Sequence, residues 1–184
     1  MKELALLGRQ YAALSVAHPH VTAAATAGGI LCLADLTCQL TLEKRDGGLD
    51  ARRTAALTAF GAWHYGWPAK SLYLLYDHLL DARLFGAANA VAKVFLDVYL
   101  HTPLLLIPSF YLITMMARGS TAADTVARLR REWRTASFGS ALFWTPLCLV
   151  NFWLVPQHSR IVVVAVFSFL HKTWLSWLSN RAAV

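Results

Sequence analysis

Long apolar runs separated by short polar stretches set the pattern of this chain. Crossing a hydrocarbon layer of ~30 Å takes about 20 helical residues. Five segments meet or nearly meet that demand: residues 20–42, 54–76, 88–117, 137–155 and 161–179. The last two flank the turn Pro156-Gln-His-Ser-Arg160, short enough to join antiparallel helices, and the pattern leaves open whether both cross fully. Pro68, Pro103, Pro108 and Pro146 fall within the runs. Each removes a backbone donor and kinks or breaks its helix, leaving carbonyls that neighbouring helices or polar side chains must satisfy. Ala24 with Gly28, and Ala25 with Gly29, are small-xxx-small pairs that permit close helix approach in the first run.

Two shorter segments are amphipathic. Over residues 4–17, Leu4, Leu7, Tyr11 and Leu14 form a helical stripe with Arg9 and Gln10 off it. Residues 121–134 open with Thr121 three before Asp124, a capping arrangement. Val126, Leu129 and Trp133 then share one face, while Arg128, Arg131 and Arg134 lie elsewhere. A basic helix of this kind lies on a membrane surface, which makes those three arginines candidate contacts to anionic lipid headgroups; a solvated connecting helix is the other reading. Tyr73, Trp133, Trp153, Trp174 and Trp177 suit either interfacial anchoring or aromatic packing. The whole pattern predicts an all-α integral membrane bundle of four to five transmembrane helices with short amphipathic interfacial helices, built as one domain over residues 1–184.

Composition supports that reading. Of the 184 residues, 57% are hydrophobic and 15% charged, against about 25% charged in soluble domains. The formal net charge is +7, and the charges sit between the apolar runs. That placement points to anionic lipid and topology signals; nucleic acid would need a solvated basic face or a binding module. With five spans, Lys44, Arg45, Arg52, Arg53, Arg118, Arg128, Arg130, Arg131, Arg134 and Arg181 fall on one side, and Lys2, Arg9, Arg83 and Arg160 on the other. Ten against four places the N-terminus opposite the positive compartment. Cys32, Cys38 and Cys148 lie inside apolar runs without metal-ligand spacing, as buried free thiols do. The first residues lack a cleavage signal, so targeting is expected to be internal.

Ionisable groups inside lipid-spanning helices are costly and face the bundle interior or a wet cavity. Lys93, Asp97 and His101 are spaced by four and share a face, with Lys93 and Asp97 able to pair as ions. Asp35 and Gln39 repeat that spacing on the first run, His64 and Lys70 bracket the Gly66-Trp67-Pro68 break, and His171 and Lys172 lie in the last. Asp35, Gln39, Lys93, Asp97 and His101 are therefore the candidate intramembrane polar network. They either line a route for small solutes or satisfy one another and hold the helices together. No nucleophile or water site accompanies these carboxylates, so no catalytic residue, cofactor or metal site is expected. Asn151, Pro156 and Arg160 form a candidate C-terminal clasp. Pro156 forces a turn, Asn151 is placed to bond carbonyls the turn leaves open, and Arg160 can reach headgroups or those carbonyls. Binding of an anionic solute or lipid at Arg160 is the alternative.

Tyr11, His18-Pro19, Thr26-Ala27-Gly28, Asp35 and Gln39, Asp50 and Arg53, Gly66, Tyr73 and Asp77, then Lys93, Asp97 and Pro103 follow in a distinctive order. Asn151-Phe152-Trp153-Leu154-Val155-Pro156, Arg160 and Leu175-Ser176-Trp177 complete it. In this order they resemble the Mpv17/PMP22 family of mitochondrial inner-membrane and peroxisomal membrane proteins. The sequence departs from the family pattern where Ala34 replaces a glycine, Trp67 a proline, Leu72 and His171 a tryptophan, and Val98 a glutamine; residues 143–147 degrade a Trp-Pro-x-x-Gln box. The resemblance implies a non-enzymatic, channel-like or homeostatic factor for small solutes in the mitochondrial inner membrane, or alternatively the peroxisomal membrane. Its partners would be lipids and either a membrane assembly or further copies of itself. An accessory structural subunit of a large respiratory or ATP-synthase-type complex is the alternative, favoured by the lost glutamines.

Overall fold

The computed structural model describes residues 2–43, 48–80 and 86–181, which are helical almost throughout with no strand among them. Helix α1 (Lys2–Ala17) leads into α2 (Pro19–Thr37), whose last turns widen into a π-helical stretch, Cys38–Glu43. Then come α3 (Ala51–Gly66), α4 (Pro68–Leu80), the long α5 (Gly86–Ala117), α6 (Ala122–Leu154), the 3-10 turn Gln157–Ser159 and α7 (Arg160–Arg181). The side chains of Lys2, His171, Lys172, Trp174, Trp177 and Arg181, and residues Lys44, Arg45 and Arg83 altogether, lie outside the described set.

Local chemistry explains most boundaries. Pro19 occupies the first turn of α2, where its missing donor costs nothing. Asp50 caps α3 by accepting from the Arg53 amide at 2.9 Å. The expected second span, residues 54–76, is two helices, because Pro68 denies the helix a donor and starts a new one at its own first turn. Pro103 is absorbed differently. The middle of α5, Phe95–Leu106, is π-helical, and the Ile107 amide reaches back five residues to the Thr102 carbonyl. The Pro103 carbonyl accepts from the Trp133 indole at 2.7 Å, so a neighbouring helix satisfies a group near the disturbance.

The separate surface helix expected over residues 121–134 is corrected: it is the first third of α6, which runs 33 residues unbroken. Its cap is as expected, with Thr121 accepting from the Asp124 amide at 3.1 Å. Nothing between Trp133 and Ser137 breaks a helix, so the polar segment continues into the apolar one. At ~1.5 Å per residue such a helix is about 50 Å long, well beyond the hydrocarbon thickness.

Among the described residues, three helices are long and apolar enough to cross a membrane: Pro19–Thr41, Gly86–Ala117 and Ala122–Leu154. Helix α3, at 16 residues, is shorter. It packs on α2 through glycine: Gly28 faces Thr58 and Ala62, and Gly66 faces Ala24. The second small pair, Ala25 and Gly29, is exposed. Around this hairpin the core gathers Leu31, Phe60, Tyr65, Tyr73, Val94, Val98, Phe152 and Ile161. Tyr73 is thus a core residue and not an interfacial anchor, whereas Trp153 is exposed. Large apolar side chains such as Leu33, Leu104, Phe138, Leu142 and Leu154 point outward, the arrangement lipid demands. On α1, Leu7 and Leu14 are exposed while Ser15 is buried, and the half-buried Tyr11 hydroxyl lies 3.2 Å from that of Thr26, so the described part of the stripe is divided between the surroundings and the bundle. One end of the bundle holds Ser15, which donates to the His158 carbonyl at 3.1 Å, and His20, which donates to the Gly66 carbonyl at 2.8 Å.

Candidate functional site

Three polar knots sit inside this apolar frame. The first fastens α2 to the start of α3. Asp35 is fully buried, and its carboxylate accepts from the Arg53 Nε at 2.8 Å, the Gln39 amide at 2.7 Å and the Thr54 hydroxyl at 2.7 Å. Gln39 also accepts from the Asp50 amide at 2.6 Å, across the loop that joins the helices. The carboxylate is saturated by donors from both helices, which makes this knot a fastening of a turn. Arg53 and Thr54 lie on a different helix from Asp35, so the i, i+4 pattern that found Gln39 does not find them.

The second knot joins three helices. Asp77 of α4 accepts from Lys93 of α5 at 2.5 Å and, through both carboxylate oxygens, from the Nη1 of Arg160 of α7 at 2.7 and 2.8 Å. The expected Lys93–Asp97 ion pair gives way to this one: Lys93 turns to Asp77, and Asp97 is held elsewhere. Arg160 also donates to the Val155 carbonyl at 3.1 Å and lies 5.4 Å from the centre of the Phe152 ring. It thereby bridges the end of α6 and the start of α7, where Pro156 ends α6. The expected role of Asn151 is corrected. Its side chain is buried, yet neither amide atom has a hydrogen-bond partner among the described residues. The Val155 amide bonds the Asn151 carbonyl at 3.3 Å, so the backbone closes that turn without the side chain. Lys70 is buried on α4, two turns before Asp77.

The third knot is centred on Asp97 in the π-helical stretch of α5. One carboxylate oxygen accepts from the His101 Nδ1 at 2.8 Å; the other accepts from the Tyr73 hydroxyl at 3.2 Å and lies 3.8 Å from the Cys148 thiol. The His101 ring stacks on that of His64 from α3 at 5.1 Å and 6° between planes, and His64 stacks in turn on Phe60 at 5.2 Å. Neither ring nitrogen of His64, nor the Nε2 of His101, has a hydrogen-bond partner among the described residues. A cavity of about 20 Å³ opens against Asp97, His101, Thr102, Tyr73 and Cys148, roughly the space of one water molecule.

These knots bring together Asp97 and His101 with His64, and separately Lys93 with Arg160, through groups on other elements. Asp77 is the residue that the helical spacing left out of the network, although it stands among the residues that carry the family resemblance. Arg128, Arg131 and Arg134 are all exposed on α6, and Arg128 pairs with Glu132 at 2.9 Å.

The family model described as Mpv17 / PMP22 family matches residues 114–176. Over 179 residues the chain is 30% identical to the mitochondrial inner membrane protein Mpv17 of Danio rerio, covering 97% of this chain and 99% of that protein. It is likewise 30% identical over 178 residues to the mitochondrial inner membrane protein Mpv17 of Rattus norvegicus, covering 95% of this chain and 98% of that one. Protein SYM1 of Mycosarcoma maydis is 29% identical over 160 residues, covering 86% and 78%. No solved structure matches the chain.

Proposed function

Because the chain belongs to the Mpv17/PMP22 family and is a protein of the mitochondrial inner membrane, we propose that it is a non-enzymatic passage for small polar solutes, closed in this conformation. The stacked His64 and His101 pair carries the proposal. Three of its ring nitrogens are buried without a hydrogen-bond partner among the described residues, and the fourth, Nδ1 of His101, bonds the Asp97 carboxylate. Buried polar groups are normally hydrogen-bonded, and a half-satisfied network costs more than an apolar core. A group of side chains kept only for fastening would be expected to satisfy every member, as the Asp35 knot does. A pathway is different, because its polar atoms are satisfied when water or solute passes. The cavity beside His101 holds about one water, so conduction requires α3 and α5 to separate there.

The same contacts support the non-enzymatic part of this reading. Asp35 and Asp77 are engaged by cations, and Asp97 by His101 and Tyr73, which favours architecture and permeation over acid–base catalysis. The test is solute release from liposomes containing the pure protein. The expected result is release by the parent, with rate or solute preference changed by Asp97→Asn and by His101→Leu. A protein silent in liposomes, and found in mild detergent only within a large assembly, would overturn this reading in favour of an accessory structural subunit.

A further inference from the structure

We infer that the chain holds a binding site for a phosphate-bearing anion of the class carried by phospholipid headgroups, in a cavity where α3, α5 and α6 meet. The inference is independent of the proposed passage. The cavity measures about 260 Å³, and Arg53, Arg118 and Arg128 line it from three different helix ends, with the Tyr111 hydroxyl beside them. Ala56, Leu57, Phe110 and Met115, with Thr114, supply the rest of the wall. Guanidinium groups converging on one space match phosphate oxygens, which accept paired N–H donors. The adjoining apolar wall suits the glycerol and first acyl carbons of a lipid better than a free ion.

Charge accounting leaves a cation over. Arg53 is paired with Asp35 at 2.8 Å and Arg128 with Glu132 at 2.9 Å, in both cases through Nε. Glu132 also accepts from Tyr111 at 2.5 Å. Arg118, exposed at the end of α5, has no carboxylate partner among the described residues and adds a third cation to a cavity wall whose other two arginines are each paired with one. Like charges so gathered repel unless an anion joins them. The position fits as well: the cavity lies at the bundle end holding most of the basic residues, where anionic headgroups accumulate on the positive side of a membrane. Of the three arginines expected from patterning to touch headgroups, only Arg128 lines the cavity; Arg131 and Arg134 project from exposed positions on α6.

The experiment uses the full chain in neutral detergent micelles, with phosphatidylglycerol or phosphatidylcholine added and retention read by native mass spectrometry. Phosphatidylglycerol should be retained and raise the melting midpoint, and phosphatidylcholine should do neither. Arg118→Ala should weaken retention about tenfold while melting like the parent without lipid, and Arg118→Lys should weaken it less. The double change Arg131→Ala with Arg134→Ala should leave it unchanged. Inorganic phosphate at millimolar concentration should not compete; displacement by it, together with an equal rise in melting midpoint from phosphate alone, would assign the site to a soluble phosphate in place of a lipid. Equal retention by the parent and Arg118→Ala, or equal loss in the double variant, would overturn the site.

Discussion

Asp77 accepts from Lys93 and Arg160, two buried cations delivered by different helices, so its removal takes that carboxylate from both. Breaking a buried pair from one side typically costs about 3–5 kcal/mol. Asp77→Leu is therefore expected to lower unfolding stability by at least that range, measured by denaturant titration in detergent. Asp97→Asn should cost less, about 1–3 kcal/mol, because its described partners, His101, Tyr73 and Cys148, are not fixed cations. Equal losses would show that Lys93 depends on Asp97 as the i, i+4 spacing suggested. Asn151 provides the opposite case. Its buried amide is unpartnered among the described residues, and replacing an unsatisfied polar group by an apolar one of similar shape is close to neutral or stabilising. Asn151→Leu is expected to leave the melting midpoint unchanged or raised; a marked fall would mean that the amide finds a partner the clasp requires.

Between α2 and α3, contact is close enough that side-chain size decides stability. A Cβ added at Gly66 would stand 2.6 Å from the Ala24 Cβ and 3.0 Å from its Cα, and neither atom can move without the helix. Gly66→Ala should therefore cost about 1–3 kcal/mol through overpacking. At Gly29 the same Cβ meets nothing within 4 Å, so Gly29→Ala should be neutral or stabilise by up to about 1 kcal/mol through helix propensity. Comparing the two variants in one melting assay separates packing from propensity. If Gly29→Ala left the melt unchanged but reduced assembly size, the exposed Ala25 and Gly29 face would be a helix-docking surface. The amphipathic stripe that marks residues 121–134 is real, but periodicity alone carries no stop signal, and without a breaker α6 simply continues. Conversely, the Gly66-Trp67-Pro68 break was legible because proline acts locally on its own turn, whatever surrounds it.

At the scale of the molecule, the fold sets which chain segments share a side. The lining of the arginine cavity places the start of α3 with the end of α5 and the start of α6, and the Ser15–His158 bond places the end of α1 with the 3-10 turn. Cysteines introduced at Leu49 and Ser120 should thus react with a membrane-impermeant thiol reagent from one side of the inner membrane, and one at Gln157 from the other. Labelling of all three from the same side would refute this topology. Helix formation, the burial of an unusual number of apolar residues against lipid, and the sites of proline disruption follow from the order of residues alone, because each depends on near neighbours or on average composition. Even so, Asp35, Lys93 and Asp97 could be recognised as interior groups from sequence, since charge in an apolar run has nowhere cheaper to go. Their partners could not. Asp77 with Arg160 spans 83 residues and His64 with His101 joins α3 to α5, and no local periodicity encodes which helix faces which. Those pairings are settled only when glycines, kinks and helix lengths fix the packing, because ion pairs and ring stacks act over a few ångströms of space and not along the chain.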